Sequence, residues 1–227
     1  MTSAAPSAWE SRLLAVVTAT LLVFGIAAVY GASSLVAVQQ GNPGSAFALR
    51  QLMGAVAGGI VLVIVARLDY HVWQRLAWPM LGVAVLGLLI PYLPGLRALA
   101  PEINGARRWL NLGVVTVQPS EFAKFAVVVW AAMLATKKGD RVREFRQGLL
   151  PFLVIVGPMT ALVLFQPNLS TAMLVALLAG VILFAAGARI GHFLVLGLIA
   201  VPLLWREIAG VQYRLSRVLT FLSPGED

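Results

Sequence analysis

The sequence has 227 residues, of which 60% are hydrophobic and 11% are charged, and its formal net charge is +8. Soluble domains carry about a quarter charged residues, so this composition excludes an ordinary soluble domain and predicts a polytopic membrane protein. The positive charge is typical of inner loops of membrane proteins and does not predict a nucleic-acid partner, and the absence of cysteine excludes disulfides and thiolate metal sites.

Seven apolar segments follow one another along the chain, and a helix needs about 20 such residues to cross a bilayer. In chain order, the predicted spans are residues 13–34, 51–68, 78–93 and 119–136, two spans within 149–188, and 192–204. These segments predict an all-α fold, a polytopic transmembrane helix bundle of about seven spans. We expect a single transmembrane domain over residues 1–227.

The longest uncharged stretch, residues 149–188, has 40 residues and is therefore twice the length of one span. Gln166-Pro167-Asn168 lies near its middle. Proline lacks a backbone donor and disfavours helix in the residue before it. The stretch therefore predicts a tight hairpin between the fifth and sixth spans.

The basic residues predict the orientation of the bundle. With the N-terminus on the cytoplasmic side, nine lysines and arginines lie in inner segments and seven in outer ones, chiefly because of the run KKGDRVREFRQG at 137–148. Six of the outer arginines fall within 97–108 and 206–217. Guanidinium groups bind phosphate bidentately, so these clusters are candidate anion sites, and solvation of the protein surface is the alternative explanation.

The fourth span begins with an unusual polar and charged segment. Pro119 suits the first position of a helix, and Glu121 in the first turn interacts favourably with the helix dipole. Lys124 lies three residues further on, so its side chain shares a face with Glu121 and can pair with it. Gln118 and Ser120 add uncharged polar groups beside this pair.

Two interpretations of these charges are open. The ion pair can act only to hold helices together, or Glu121 and Lys124 can line a polar cavity that opens outward, with Arg107 and Arg108 at its rim. Ionisable groups within spans are costly and are candidates for a functional role.

The segment NGARRWLNLGVVTVQPSEFAK, residues 104–124, resembles the signature of the SEDS family (shape, elongation, division and sporulation). The matching residues are Gly105, Ala106, Arg108, Trp109, Gly113, Gln118, Pro119, Ser120, Glu121 and Lys124. Further similar stretches are VYGASS, LDY, QPNLST, AAGA and YRLSRVLTFLSPGED, so the resemblance covers essentially the whole chain. Asn168 departs from the family, which usually has aspartate there. The resemblance implies a full family fold of ten spans. We expect this chain to be the N-terminal seven-span part of that fold, ending within a large outer loop.

The resemblance implies a peptidoglycan glycosyltransferase that polymerises lipid II during cell division, beside a class B penicillin-binding protein and the division machinery. It implies a multi-pass protein of the bacterial cytoplasmic membrane, acting at the outer face with a cytoplasmic N-terminus. The stretches VYGASS and LDYHVW are closer to the FtsW branch, and the RodA branch, which serves the elongation machinery, stays an alternative. The candidate substrate-binding residues are Arg107, Arg108, Gln118, Ser120, Glu121, Lys124, Arg214 and Arg217.

Asp227 is the candidate catalytic residue, and only the resemblance makes it so. By itself, the acid in FLSPGED is a solvated loop residue. The family resemblance aligns Asp227 with the proposed catalytic aspartate, which implies that it is a general base for the acceptor hydroxyl or a ligand of a divalent cation. Glu226 is the second choice. Mg²⁺ or Mn²⁺ is the one cofactor considered, and no metal-ligating set is assigned.

Three functional hypotheses follow: a lipid-linked sugar polymerase, a flippase or transporter of the same lipid-linked precursor, and a scaffold. A charged cavity among helices suits a transporter as well as an enzyme. A proton acceptor on the outer loop distinguishes the polymerase, because a flippase needs none.

Overall fold

The computed structural model describes residues 8–103, 105–113, 116–212, 215, 216 and 220, and within them it contains seven α-helices and one small sheet. The helices are α1 (Ala8–Gln39), α2 (Ala46–Arg67), α3 (Tyr70–Leu89), α4 (Pro119–Lys138), α5 (Leu150–Leu164), α6 (Leu169–Ala185) and α7 (Ile190–Ala209). Strands β1 (Leu110–Asn111) and β2 (Thr116–Val117) form an antiparallel pair. The prediction of an all-α membrane bundle is confirmed, and each predicted span falls on one of the helices.

Five of the described helical segments are long and apolar enough to cross a membrane. They are Trp9–Gln39, Ala46–Arg67, Tyr70–Tyr92, Phe145–Leu164 and Ile190–Ala209. The sixth helix is equally apolar but has 17 residues, and α4 has 20 residues and carries charged groups at both ends. The chain is therefore a multi-pass membrane protein.

The predicted bounds of several spans are too short. The third helix begins at Tyr70, eight residues before the predicted start, because its first turns contain Gln74 and Arg75. The first helix likewise extends from Ala8 to Gln39, beyond the predicted 13–34. A helix satisfies its backbone hydrogen bonds internally, so it continues into the polar interface beyond its apolar residues.

The chain divides into two compact units, Met1–Asp69 and Tyr70–Asp227. In the first unit α1 and α2 form a helical hairpin, closed by a turn in which Asn42 N–H donates to the carbonyl of Ala37 at 2.9 Å. Ala37 is buried, whereas most of the long apolar side chains of this hairpin are exposed. The prediction of a single transmembrane domain concerns both units together and stays a prediction.

The second unit is built around α4, which packs against α3 and α6. Its buried face repeats at helical spacing through Ala123, Ala126, Val127 and Trp130. Small residues on this face permit close contact between helices. Lipid tails are as apolar as these side chains, so helix association in a membrane depends on such van der Waals packing and not on the hydrophobic effect.

Aromatic rings fill the middle of the second unit. Trp130 is 1% exposed and makes edge-to-face contacts with Trp78 at 5.8 Å and with Phe152 at 5.6 Å between ring centroids. Such pairs contribute about 0.5–1.5 kcal/mol beyond their burial. This cluster fixes α3, α4 and α5 relative to one another.

The predicted hairpin between the fifth and sixth spans is confirmed, since α5 ends at Leu164 and α6 begins at Leu169. Gln166 within this turn is 2% exposed and donates from Nε2 to the carbonyl oxygen of Leu88 at 2.9 Å. The turn is thereby attached to the end of α3. A Cβ on Gly87 would lie 3.2 Å from Cβ of Pro119, so the start of α4 meets the same end of α3.

Candidate functional site

The fourth helix begins at the residue that the sequence predicts. Gln118 precedes it with extended backbone angles (φ −101°, ψ 112°), and Pro119 occupies the first helical position, where its missing N–H costs nothing. Glu121 N–H then donates to the carbonyl of Gln118 at 3.0 Å. The polar start of α4 is thus a local consequence of this proline.

Glu121 and Lys124 form the predicted pair. Lys124 Nζ lies 2.7 Å from Glu121 Oε2, and the two side chains are 20% and 57% exposed, respectively. The lysine is the more enclosed partner, while the carboxylate reaches the surface of the described chain. Whether these groups line a cavity that opens outward stays a prediction.

Ser120 is fully buried beside this pair, and its hydroxyl oxygen has no hydrogen-bond partner among the described residues. Burying a hydroxyl without a partner costs about 1–3 kcal/mol. Gln118, two residues earlier, is half-buried. The start of α4 therefore presents a hydroxyl that can accept or donate one further hydrogen bond.

The two predicted rim arginines follow a tight turn. Ile103 and Ala106 exchange backbone hydrogen bonds at 3.0 and 3.2 Å, and Gly105 between them has φ +72°, a conformation that glycine adopts without a steric cost. Arg107 and Arg108 leave this turn in succession. The β1–β2 pair then returns the chain to Gln118, because Leu110 pairs with Val117.

Arg107 and Arg108 differ in their surroundings. Arg107 contacts Glu102 with an Nη2–Oε2 distance of 3.3 Å and donates from Nη1 to the carbonyl of Ala100 at 3.3 Å. Arg108 is half-buried, and its buried Nε has no hydrogen-bond partner among the described residues. An anionic ligand would therefore find one arginine held in place and one with an unsatisfied donor.

A pocket of about 350 Å³ joins three segments that are distant in the sequence. Its polar lining residues are Tyr92, Arg97, Arg107 and Gln166, from the region after α3, the glycine turn and the α5–α6 hairpin. Tyr92 OH donates to the carbonyl of Leu162 at 2.9 Å, and Gln166 Oε1 is buried without a partner among the described residues. Two guanidinium groups beside an amide form a site with the chemistry to bind phosphate.

Sequence reasoning did not assign Arg97 or Gln166 to the site. Arg97 lies in a predicted outer arginine cluster, and Gln166 is a polar residue in the long uncharged stretch, so both carried a signal. What the sequence lacked was the fold that brings them together. Arg107 lies in this pocket, whereas Arg108 precedes β1, and Gln118, Ser120, Glu121 and Lys124 lie at the start of α4.

Three predicted site residues, Asp227, Arg214 and Arg217, lie outside the described residues, as does Glu226. Within the part of the chain that the structure describes, no group of three or more histidine, cysteine, aspartate or glutamate side chains could hold a metal ion. The assignments of a base and of a divalent cation therefore stay predictions.

The fold defines a multi-pass membrane protein whose second unit carries a cluster of basic and polar side chains at one end. The FtsW/RodA/SpoVE family model, described as "Cell cycle protein", matches residues 11–227. The chain belongs to this family, as its resemblance to SEDS proteins predicts.

Among curated relatives, the chain is 35% identical over 215 residues to the "Probable peptidoglycan glycosyltransferase FtsW" of Trichlorobacter lovleyi, covering 95% of this chain and 56% of the relative. Among solved structures, it is similar to a chain of a peptidoglycan synthase complex that coordinates polymerization and crosslinking, with a TM-score of 0.63 and 29% identity over 91% of this chain and 59% of that one.

It is also similar to the rod shape determining protein RodA of Thermus thermophilus, with a TM-score of 0.58 and 30% identity, covering 81% of this chain and 58% of that one. The chain thus spans little more than half the length of the proteins that it matches.

Proposed function

We propose that this chain acts in a peptidoglycan glycosyltransferase that polymerises lipid II at the outer face of the bacterial cytoplasmic membrane during cell division. The observation that carries the proposal is the pocket lined by Arg97, Arg107 and Gln166. Gln166 and the start of α4 both contact the same end of α3. A lipid-linked sugar pyrophosphate requires cations at the membrane surface, and this end of the bundle supplies them. The curated relative named as an FtsW glycosyltransferase supports the same activity.

The pyrophosphate of the donor is proposed to bind the guanidinium groups of Arg97 and Arg107 and the amide of Gln166. Arg108 and Lys124 supply further positive charge, with Gln118, Ser120 and Glu121 positioned beside them. The lipid tail of the substrate remains in the bilayer, against the exposed apolar faces of the helices. In this arrangement the binding groups stabilise the negative charge that develops on the leaving group.

The proposed reaction forms a bond between the acceptor hydroxyl oxygen and the anomeric carbon of the donor. The bond from that carbon to the lipid pyrophosphate breaks, and the pyrophosphate leaves with the bonding electron pair. Asp227 accepts the proton of the hydroxyl, with Glu226 as the second choice. Arg214 and Arg217 lie near these acids in the sequence and are proposed to contact the same substrate.

A divalent cation, Mg²⁺ or Mn²⁺, is the one cofactor proposed. Asp227 would then bind this ion instead of accepting the proton. When bound, such an ion neutralises charge on a pyrophosphate. No step depends on it here, because the described residues contain no cluster able to hold a metal.

The proposed protein partner is a class B penicillin-binding protein, in the division machinery or, for the alternative RodA-type role, in the elongation machinery. A peptidoglycan synthase complex with a structurally similar chain, 0.63 in TM-score, supports this pairing of polymerisation with crosslinking. The proposed orientation places the N-terminus in the cytoplasm, which puts the start of α4 on the outer side.

Polymerisation of lipid II by the purified protein, in a chain that continues past residue 227, tests the proposal. The expected products are glycan polymers, and Arg97→Gln is expected to reduce their rate of formation more than Arg50→Gln, a matched change outside the site. A protein that moves lipid II across vesicles without polymerising it would establish the flippase alternative. A protein that does neither yet binds its partner would support the scaffold.

A further inference from the structure

A second pocket lies at the other end of α4, far along the helix from its charged start. It has a volume of about 370 Å³ and is enclosed by side chains of α3, α4 and α5, among them Trp78, Trp130 and Val154. Trp78 and Val154 are 54% and 59% exposed, so the pocket opens on the apolar surface of the second unit. A ligand can therefore enter it from the surrounding bilayer.

Lys138, the last residue of α4, is the charged member of this otherwise apolar and aromatic lining. Its side chain is half-buried, and the structure records no ion pair for it among the described residues. A lysine with its alkyl chain along apolar surface and its ammonium at the interface is well placed to bind an anionic headgroup.

Trp130 also lines this pocket and carries an unsatisfied group. Its ring is 1% exposed, and its buried Nε1–H has no acceptor among the described residues. An indole N–H usually has a partner when it is buried, because leaving it unpaired costs free energy. An ester oxygen of a bound lipid would supply an acceptor for this indole N–H.

The loop beyond Lys138 is folded and basic. A 3₁₀ turn, Gly139–Arg143, is followed by a π-helical turn, Phe145–Leu149, and Gly148 N–H donates to the carbonyl of Glu144 at 2.8 Å. The loop itself contains three basic and two acidic side chains, and with Lys137 and Lys138 at the end of α4 the net charge of residues 137–149 is +3. This loop therefore places positive charge next to the mouth of the pocket.

We propose that this pocket binds one anionic phospholipid, with an acyl chain against Trp78 and Trp130 and the phosphate on Lys138. The lipid belongs to the leaflet beside the 139–149 loop, which is the cytoplasmic leaflet in the proposed orientation. This site is separate from the outer pocket of Arg97 and Arg107, so it does not depend on the proposed glycosyl transfer. The bound lipid fills the space between α3, α4 and α5.

The test measures which lipids the purified protein retains from nanodiscs containing equal amounts of phosphatidylglycerol and phosphatidylcholine, by native mass spectrometry. The wild-type protein is expected to retain phosphatidylglycerol preferentially. Lys138→Gln should reduce that preference about fivefold, which corresponds to about 1 kcal/mol for one lysine at the membrane surface. Lys137→Gln is the matched control, because Lys137 is exposed and does not line the pocket.

Val154→Trp provides a second test, because it fills the pocket from an exposed position and leaves all charges in place. It should lower retention of phosphatidylglycerol in protein that still elutes as a folded species. Equal losses from Lys137→Gln and Lys138→Gln would show only a diffuse attraction to the basic loop and would overturn the proposal. No retained lipid in the wild-type protein would mean that protein covers the pocket, and the proposal would also fail.

Discussion

Replacing Lys124 by methionine should separate the structural role of this residue from its role in function. The substitution keeps a long unbranched side chain and removes the ammonium that lies 2.7 Å from Glu121. Glu121 is 57% exposed, so solvent screens the pair, and its loss should cost about 1 kcal/mol of stability or less. For a domain of this size, that corresponds to a fall in Tm of about 2–4 °C.

Polymerisation of lipid II should fall much further than stability. Removing one group that stabilises transition-state charge typically costs about 100- to 1,000-fold in rate. The assay compares initial rates of polymer formation for the wild-type protein, Lys124→Met and Lys137→Met, together with their thermal unfolding in detergent. Lys137 lies at the opposite end of α4 and is exposed, so its substitution should leave the rate unchanged.

Two results would refute this reasoning. A wild-type rate for Lys124→Met would show that the lysine serves only to pair with Glu121. A Tm that falls by more than about 10 °C would show that the pair holds the helices together, and the rate would then report unfolding. A double-mutant cycle of Glu121→Gln, Lys124→Met and the double substitution measures the coupling between the two residues, expected at about 1 kcal/mol or less.

Three further predictions concern topology, packing and chemistry. A membrane-impermeant thiol reagent added from outside should label Leu112→Cys and spare Arg141→Cys in intact cells. Gly148→Ala should destabilise the protein by about 1–3 kcal/mol, measured by thermal unfolding, because a Cβ there would collide with the carbonyl oxygen of Val142. Asp227→Asn, in a chain that continues past this residue, should abolish lipid II polymerisation while insertion and partner binding stay normal.

Each of these predictions has a result that contradicts it. The opposite labelling pattern would show that the bundle has the opposite orientation, with the arginine pocket on the cytoplasmic side. Gly157→Ala is the packing control, since nothing lies within 4 Å of a Cβ there and alanine favours a helix more than glycine does. Equal destabilisation of both variants would show that the collision with Val142 is not the cause. A wild-type polymerisation rate for Asp227→Asn would end its assignment as the base.

Local sequence features determined where the helices lie and how several of them begin and end. The length of each apolar stretch predicts a span, and Pro119 predicts the first turn of α4 because the N–H that proline lacks has no intrahelical partner there. The turn at Gln166–Asn168 and the spacing of Glu121 and Lys124 are likewise local, so the structure confirms both. The helix bounds were less accurate, since polar interfacial residues continue a helix that hydropathy alone ends early.

The family resemblance supplied what local physics did not. It identified the family that the comparison with the family model shows for residues 11–227. It also assigned Asp227, which by its own surroundings in the sequence is an ordinary loop acid. That assignment stays a prediction.

Only the tertiary structure decided which polar groups meet. Gln166 donates to the carbonyl of Leu88, 78 residues away, and Arg97 joins Arg107 in one pocket. Lys138 of α4 likewise lines one pocket with Trp78 of α3. The helices of this protein are apolar on nearly every face, so their sequence gives little sign of which side contacts a neighbour. Those contacts depend instead on the shapes of small and aromatic side chains, such as Ala126 beside Trp130, which determine how closely the helices pack.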